Sequence, residues 1–234
     1  MIDELHIEDE LKIRTMQYFA KNYIESSMIF SSNARTIEDK ESINEFDSSN
    51  YKANVIGSIL FTVLYLETSI NEFYILVTGN NNFINETQTR NKKIINEFWN
   101  SDKFANYSIL DKYQYALILM DCDKFNDTIN PFQNIKTLIS LRNYLVHYKP
   151  EWIEMQTYKK NNNTQFVSLE KKIKGKFNTT KIGNDFFPAK YLSYGCAIWG
   201  IDNSIQFVNE FYDKIGKEYI YKEIINELRK NYGA

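Results

Sequence analysis

The chain has 234 residues, enough for one large domain or two small ones, and its 43% hydrophobic and 25% charged residues are ordinary for a soluble globular protein. Only 8 Gly and 3 Pro interrupt it, which disfavours a many-turned sandwich or barrel. A formal net charge of -2 argues against a protein built to coat nucleic acid non-specifically, yet leaves room for a local basic surface.

In chain order, Leu11, Met16, Phe19, Tyr23 and Met28 recur at helical spacing and predict an amphipathic helix over residues 8–31. The following SSNARTIEDKESINEFDSSN is polar and rich in cap-forming residues, and reads as a long loop or a short broken helix. A helix apolar on most faces is predicted from about Tyr51, after the cap candidates Asp47 to Asn50, to Gly79–Asn80. Glu67, Thr68, Ser69, Asn71 and Glu72 interrupt its apolar run, so it reads as a buried core helix and not a membrane span. Shorter helices are expected at Lys92–Trp99 and Ile109–Met120.

The next start is better marked. Asn130 suits the cap, Pro131 the first helical position and Gln133 the capping-box position, while Pro150 ends the helix at Lys149 and leaves His147 in its last turn. Residues 165–176 read as a helix or as one arm of a short hairpin near 160–182. Helices over 188–215 and 217–231 close the chain. No repeat or linker divides it, so residues 1–234 are expected to form one all-α domain.

Chemistry is limited by parts. Cys122 and Cys196 lie far apart without CxxC spacing, so neither a disulfide framework nor structural zinc is expected. Together with an acidic N-terminus lacking a signal-peptide core, this leads to a cytoplasmic expectation. Only His6 and His147 are histidines, and no HExxH, phosphate-binding glycine loop, Rossmann fingerprint or GxSxG elbow is present. No metal and no cofactor are expected.

What remains is LISLRNYLVHYKPEW. Asn143 and His147, four residues apart, share a helical face. Arg142 lies about 140° round the axis from His147, so the arginine must wrap round or the last turn loosen before both reach one phosphate. Imidazole suits proton transfer near neutrality, and a guanidinium fork suits phosphate oxygens. Asn143 is placed to orient the imidazole or a phosphate oxygen.

Arginine, a polar residue and then histidine at the end of a helix, in an otherwise helical chain, resembles the HEPN superfamily. SILFTVLYLETSINEFY, with Glu67 and Asn71 one turn apart, resembles the preceding core helix of some members. FPAKYLSYGCAIWGIDNSIQFVNEFY resembles the C-terminal helix of related bacterial proteins. The likeness covers about Tyr51 to Ile215, leaving the 8–31 helix as an elaboration.

The resemblance implies an all-α HEPN-like bundle with added terminal helices. It implies a homodimer, and metal-independent cleavage of RNA in a toxin or antiviral defence setting, with an antitoxin or defence protein as partner. It carries catalytic roles onto Arg142 and His147 and the polar role onto Asn143. The tyrosine that some members place two residues after the histidine is Lys149 here, with Tyr148 one position early. Glu67 and Asn71 are candidates to support the site from behind, against an equally weighted structural ion pair that includes Arg142 as a partner. Lys159, Lys160, Lys171, Lys172, Lys174, Lys176 and Lys181, against Glu170 alone, form an RNA-backbone surface or a solvated face. The competing function is a non-catalytic module of the same fold that binds RNA, a nucleotide or a protein; a purely structural helical dimer is the third reading.

Overall fold

The computed structural model describes residues 16–79, 89–149, 165–183 and 186–233. Eight α-helices make up the described chain: α1 Ala20–Glu38, α2 Glu45–Gly79, α3 Thr89–Trp99, α4 Ile109–Leu119, α5 Phe132–Val146, α6 Gln165–Ile173, α7 Tyr194–Lys214 and α8 Lys222–Tyr232. The described residues form an all-helical structure, with no strand among them. Residues 165–173 are helical and 174–182 form turns and irregular chain, so the described part of the hairpin alternative does not form.

α2 is the axis on which the others pack. It is long and apolar enough to cross a bilayer by length and composition, but 56% of its most apolar window is buried inside the protein. It meets α1 along most of its length and also touches α3, α4, α5 and α7.

α7 and α8 start later than expected, at Tyr194 and Lys222; α1 and the start of α2 also differ from expectation, each for a physical reason. α1 begins at Ala20 and runs through Ser31–Asn33 to Glu38, because Ile24, Ser27, Met28, Ser31, Ala34 and Ile37 form one buried stripe. Its serines are small enough to bring the helices together, and Ser27 Oγ lies 2.6 Å from Thr62 Oγ1 and 2.9 Å from the Ser58 carbonyl of α2. α2 starts at Glu45, since Asn44 caps it. The Asn44 side chain accepts from Asp47 N–H at 2.8 Å, and the Asp47 carboxylate accepts from Asn44 N–H at 3.4 Å. Asp47 itself is buried and ion-paired to Lys40 at 2.6 Å. The residues 47–50 therefore lie inside the helix.

The N-terminus of α1 is capped from another helix. Glu72 Oε1 accepts from the backbone N–H of Phe19 at 2.7 Å and of Ala20 at 2.8 Å. Burial raises the Glu72 carboxyl above its ordinary value, against the two backbone donors that lower it. A carboxyl raised in the folded state binds its proton more readily there than in the unfolded chain. Its contribution to stability therefore declines as pH climbs from the ordinary carboxylate value through the folded one. Glu72→Gln keeps the acceptor and removes the titration, so its stability relative to wild type should rise from about pH 4 to pH 8. Glu72→Ala exposes the helix start and should cost about 0.5–2 kcal/mol. Urea midpoints across pH read both; a pH-independent difference for the glutamine variant would contradict the account.

Candidate functional site at the C-terminal end of helix α5

α5 is fixed by its buried arc. Phe132, Asn134, Ile135, Thr137, Leu138 and Leu141 face inward. Gly200 of α7 makes room for it: a Cβ there would lie 3.2 Å from Leu138 Cδ1, a contact few side chains tolerate. The start of the helix falls one residue later than expected. Pro131 occupies the cap position, with no side chain capping the helix. Gln133 donates instead to the carbonyl of Asp127, so the capping box does not form.

At the other end α5 stays regular to Val146, and His147 N–H still donates to the Asn143 carbonyl at 2.9 Å. The last turn has not loosened. Asn143 and His147 are exposed on one face, while half-buried Arg142 leaves the axis about 140° from His147. Arg142 makes no ion pair among the described residues. Tyr144, between them, stacks edge-on against Phe187 at 5.0 Å and Tyr148 at 5.7 Å, which ties this end of the helix to the segment before α7.

Glu67 and Asn71 meet a different partner. Lys112 of α4 is 3% exposed in its position, with Nζ 3.6 Å from Glu67 Oε1 and 3.4 Å from Asn71 Oδ1. The same ammonium sits 4.6 Å above the Phe104 ring. A buried lysine needs such company, and Glu67 and Asn71 supply it. Neither bonds to Arg142 or His147.

The lysine segment divides in two. Lys171, Lys172 and Lys174 are exposed, at the end of α6, whose Leu169 and Ile173 are buried and which packs against α5. Lys176 is a latch. Its ammonium donates to Asn134 Oδ1 of α5 at 2.5 Å, Asn134 donates to Asn203 of α7 at 2.6 Å, and the Trp199 ring lies beneath at 5.9 Å. Lys176→Ala would leave the buried Asn134 carbonyl unpaired and should cost about 1–3 kcal/mol, whereas Lys171→Ala should stay within about 0.5 kcal/mol. Equal urea midpoints for the two variants would refute the latch. Lys159 and Lys160 lie outside the described residues, as do His6 and Trp152.

Lys181, with Glu38, Asn44, Ser48 and Thr179, lines a separate cavity of about 630 Å³ beside the start of α2. Cys122 and Cys196 are both free thiols. Among the described residues no three His, Cys, Asp or Glu side chains gather in a way that could hold a metal ion.

Reading the sequence by motif missed Lys136 and Ser140. They precede Asn143 and His147 at spacings of four, three and four residues, which confines all four to a wedge about 60° wide on α5. Lys136 is exposed, and Ser140 Oγ donates to the Lys136 carbonyl at 2.8 Å. That spacing was the available signal.

Comparison with known proteins returned no matching family model, no matching curated protein and no matching solved structure.

Proposed function

We propose that this protein is a HEPN-type endoribonuclease that cleaves RNA without a metal ion, by attack of a ribose 2′-hydroxyl on the adjacent phosphorus. The observation that supports this best is the end of α5: a solvent-exposed His147 and Asn143, with an Arg142 that makes no ion pair among the described residues.

The reaction needs a base to take the 2′-hydroxyl proton, an acid to protonate the departing 5′-oxygen, and a cation for the charge on the phosphorane. One chain offers a single imidazole at this place, and its Arg142 points about 140° away from it. A homodimer meeting across a two-fold axis at the ends of α5 supplies two imidazoles and two guanidinium groups. In that arrangement His147 of one copy acts as base and that of the other as acid, while Arg142 binds the phosphate oxygens and Asn143 orients the imidazole. The product is a 2′,3′-cyclic phosphate and a free 5′-hydroxyl. The setting we assign is a toxin or antiviral defence system, in which a partner protein restrains the activity.

The same divergence of Arg142 and His147 favours one alternative should the chain stay single: a non-catalytic module that binds RNA, a nucleotide or a protein through this end of α5. Purified protein incubated with mixed RNAs in EDTA, beside Arg142→Ala and His147→Ala, separates the two. Cleavage by wild type alone supports the enzyme. Equal cleavage by all three, or none by wild type, removes it. Cleavage by a protein that light scattering shows to be strictly monomeric would overturn the two-fold site.

A further inference from the structure

Helices at a protein surface carry charge on their outward side. α3 and α8 follow that rule, with exposed Lys93 and Glu97 on the first and exposed Glu223, Glu227 and Lys230 on the second. The central helix does not. Ala53, Gly57, Leu60, Phe61, Leu64 and Thr68 recur at one-turn spacing on one side of α2, and each is exposed or half-buried. From Asn50 to Ile75 no charged residue falls on this side of the helix.

α1 widens the strip. The Phe30 ring lies over Gly57, where a Cβ would come within 3.2 Å of it. Phe61 packs against Phe30 at 5.5 Å and Tyr23 at 5.8 Å, and Tyr23 against Phe19 at 5.9 Å. Phe19 is exposed, and Tyr23, Phe30 and Phe61 are half-buried. The strip on α2 is about 38 Å long at 1.5 Å per residue, and with the ring edge of α1 the apolar face is on the order of 500–600 Å². That is the upper end for a monomer's largest apolar patch, and close to the roughly 600 Å² per partner at which stable interfaces begin.

We propose that this face pairs with the same face of a second copy, the two α2 helices lying antiparallel across a two-fold axis between Leu60 and Phe61. The strip matches itself in that register. Leu60 and Phe61 each meet their own copies, Leu64 lies over Gly57 and the edge of the Phe30 ring, and Thr68 lies against Ala53. No charge faces another charge, so the surface that one copy presents is as apolar as the one it covers. Lipid fits less well. Lys52 is the only basic residue of α2, and its stem lies beside Gly183, so the face has no basic rim for an anionic bilayer. The face shares no residue with the α5 end, and the inference stands apart from the ribonuclease reading. Where both two-folds operate, the chain assembles beyond a dimer.

The test compares full-length wild type with Leu64→Glu on the face and Ile224→Glu on α8, two positions of like exposure at 39% and 42%. Sedimentation over a range of concentrations gives the mass, and thermal melts follow the fold. Leu64→Glu is expected to halve the mass of the assembly and to raise the dissociation constant of this step about 100-fold or more, because each copy would bury an unpaired carboxylate. Ile224→Glu should leave the mass unchanged. Leu60→Cys, in a Cys122→Ser background, should give a disulfide-linked dimer with copper phenanthroline as oxidant, and Ile224→Cys in the same background should give none. Equal masses for wild type and Leu64→Glu, with no cross-link through position 60, would overturn the pairing. A melting temperature lowered by Leu64→Glu at unchanged mass would show the face covered by the chain's own residues. Capture of a monomeric wild type by phosphatidylcholine–phosphatidylglycerol vesicles would assign it to lipid. Either of these results also overturns the second copy.

Discussion

His147→Ala is expected to lower RNA cleavage by about 10²–10⁴-fold while leaving the melting temperature unchanged. The first figure is the usual worth of a positioned acid or base, doubled in role here because both copies of the site lose their imidazole. The second follows from position: the side chain is exposed beyond the last helical residue, and its backbone N–H keeps its bond to Asn143 whatever the side chain is. Exposed substitutions of this kind change stability by no more than about 0.5 kcal/mol. Arg142→Ala removes the cation that stabilises the phosphorane and should cost about 10²–10³-fold. Because the two groups serve one transition state, the double variant should be little worse than the poorer single one. Single-turnover cleavage rates and thermal melts on the same preparations check all of this. A variant that loses activity together with its fold would assign His147 to structure instead.

The largest loss of stability is expected at Phe73. Its ring is fully buried where α2 crosses α7, edge-on to Phe211 at 5.0 Å and to Tyr74 at 5.6 Å. From Phe211 the ring contacts continue through Tyr113 at 5.0 Å to Phe207 at 4.9 Å, and from Phe207 to Phe125, stacked at 4.4 Å, and to Phe132 at the start of α5. Truncation leaves a cavity that rings on rigid helices cannot close, and buried Phe→Ala changes cost about 3–5 kcal/mol. That is a large part of the 5–15 kcal/mol or so that holds a typical domain together. Phe46→Ala, at 76% exposure, should change stability by less than about 0.5 kcal/mol. Urea midpoints compare the pair; a loss below about 1 kcal/mol at Phe73 would contradict the packing described.

Much of the fold is written in periodicity. The apolar run after Tyr51 predicts the central helix, and Pro150 and the stripe from Ile135 to Leu141 predict α5 to within a few residues. The reach of α1 to Glu38 was hidden because Ser31, Ser32 and Asn33 look like loop formers by type. The place of Ser31, between Met28 and Ala34, on the buried stripe is a tertiary fact that overrides propensity. The real cap of α2, Asn44, lies seven residues upstream of the predicted start, in the reciprocal Asn44–Asp47 pair. A similar limit applies at the site. The spacing of Arg142, Asn143 and His147 already gave their angles, and α5 keeps them because it remains regular. Which lysine pairs with Glu67 was not readable, since Lys112, 45 positions further along the chain, is brought to it by the packing of α4 on α2. Lys176 likewise looks like one more member of a basic run. Only its contact with Asn134 and Trp199 separates it from the three exposed lysines before it.

The measurement that bears most directly on the central claim is the chemistry of the cut ends, read by mass spectrometry after the wild-type protein acts on RNA in EDTA. The mechanism assigned to Arg142 and His147 predicts a 2′,3′-cyclic phosphate on one fragment and a 5′-hydroxyl on the other. It also predicts no cut where the attacking 2′-hydroxyl is replaced by hydrogen. Fragments ending in a 5′-phosphate, or cleavage that survives that replacement, would contradict it.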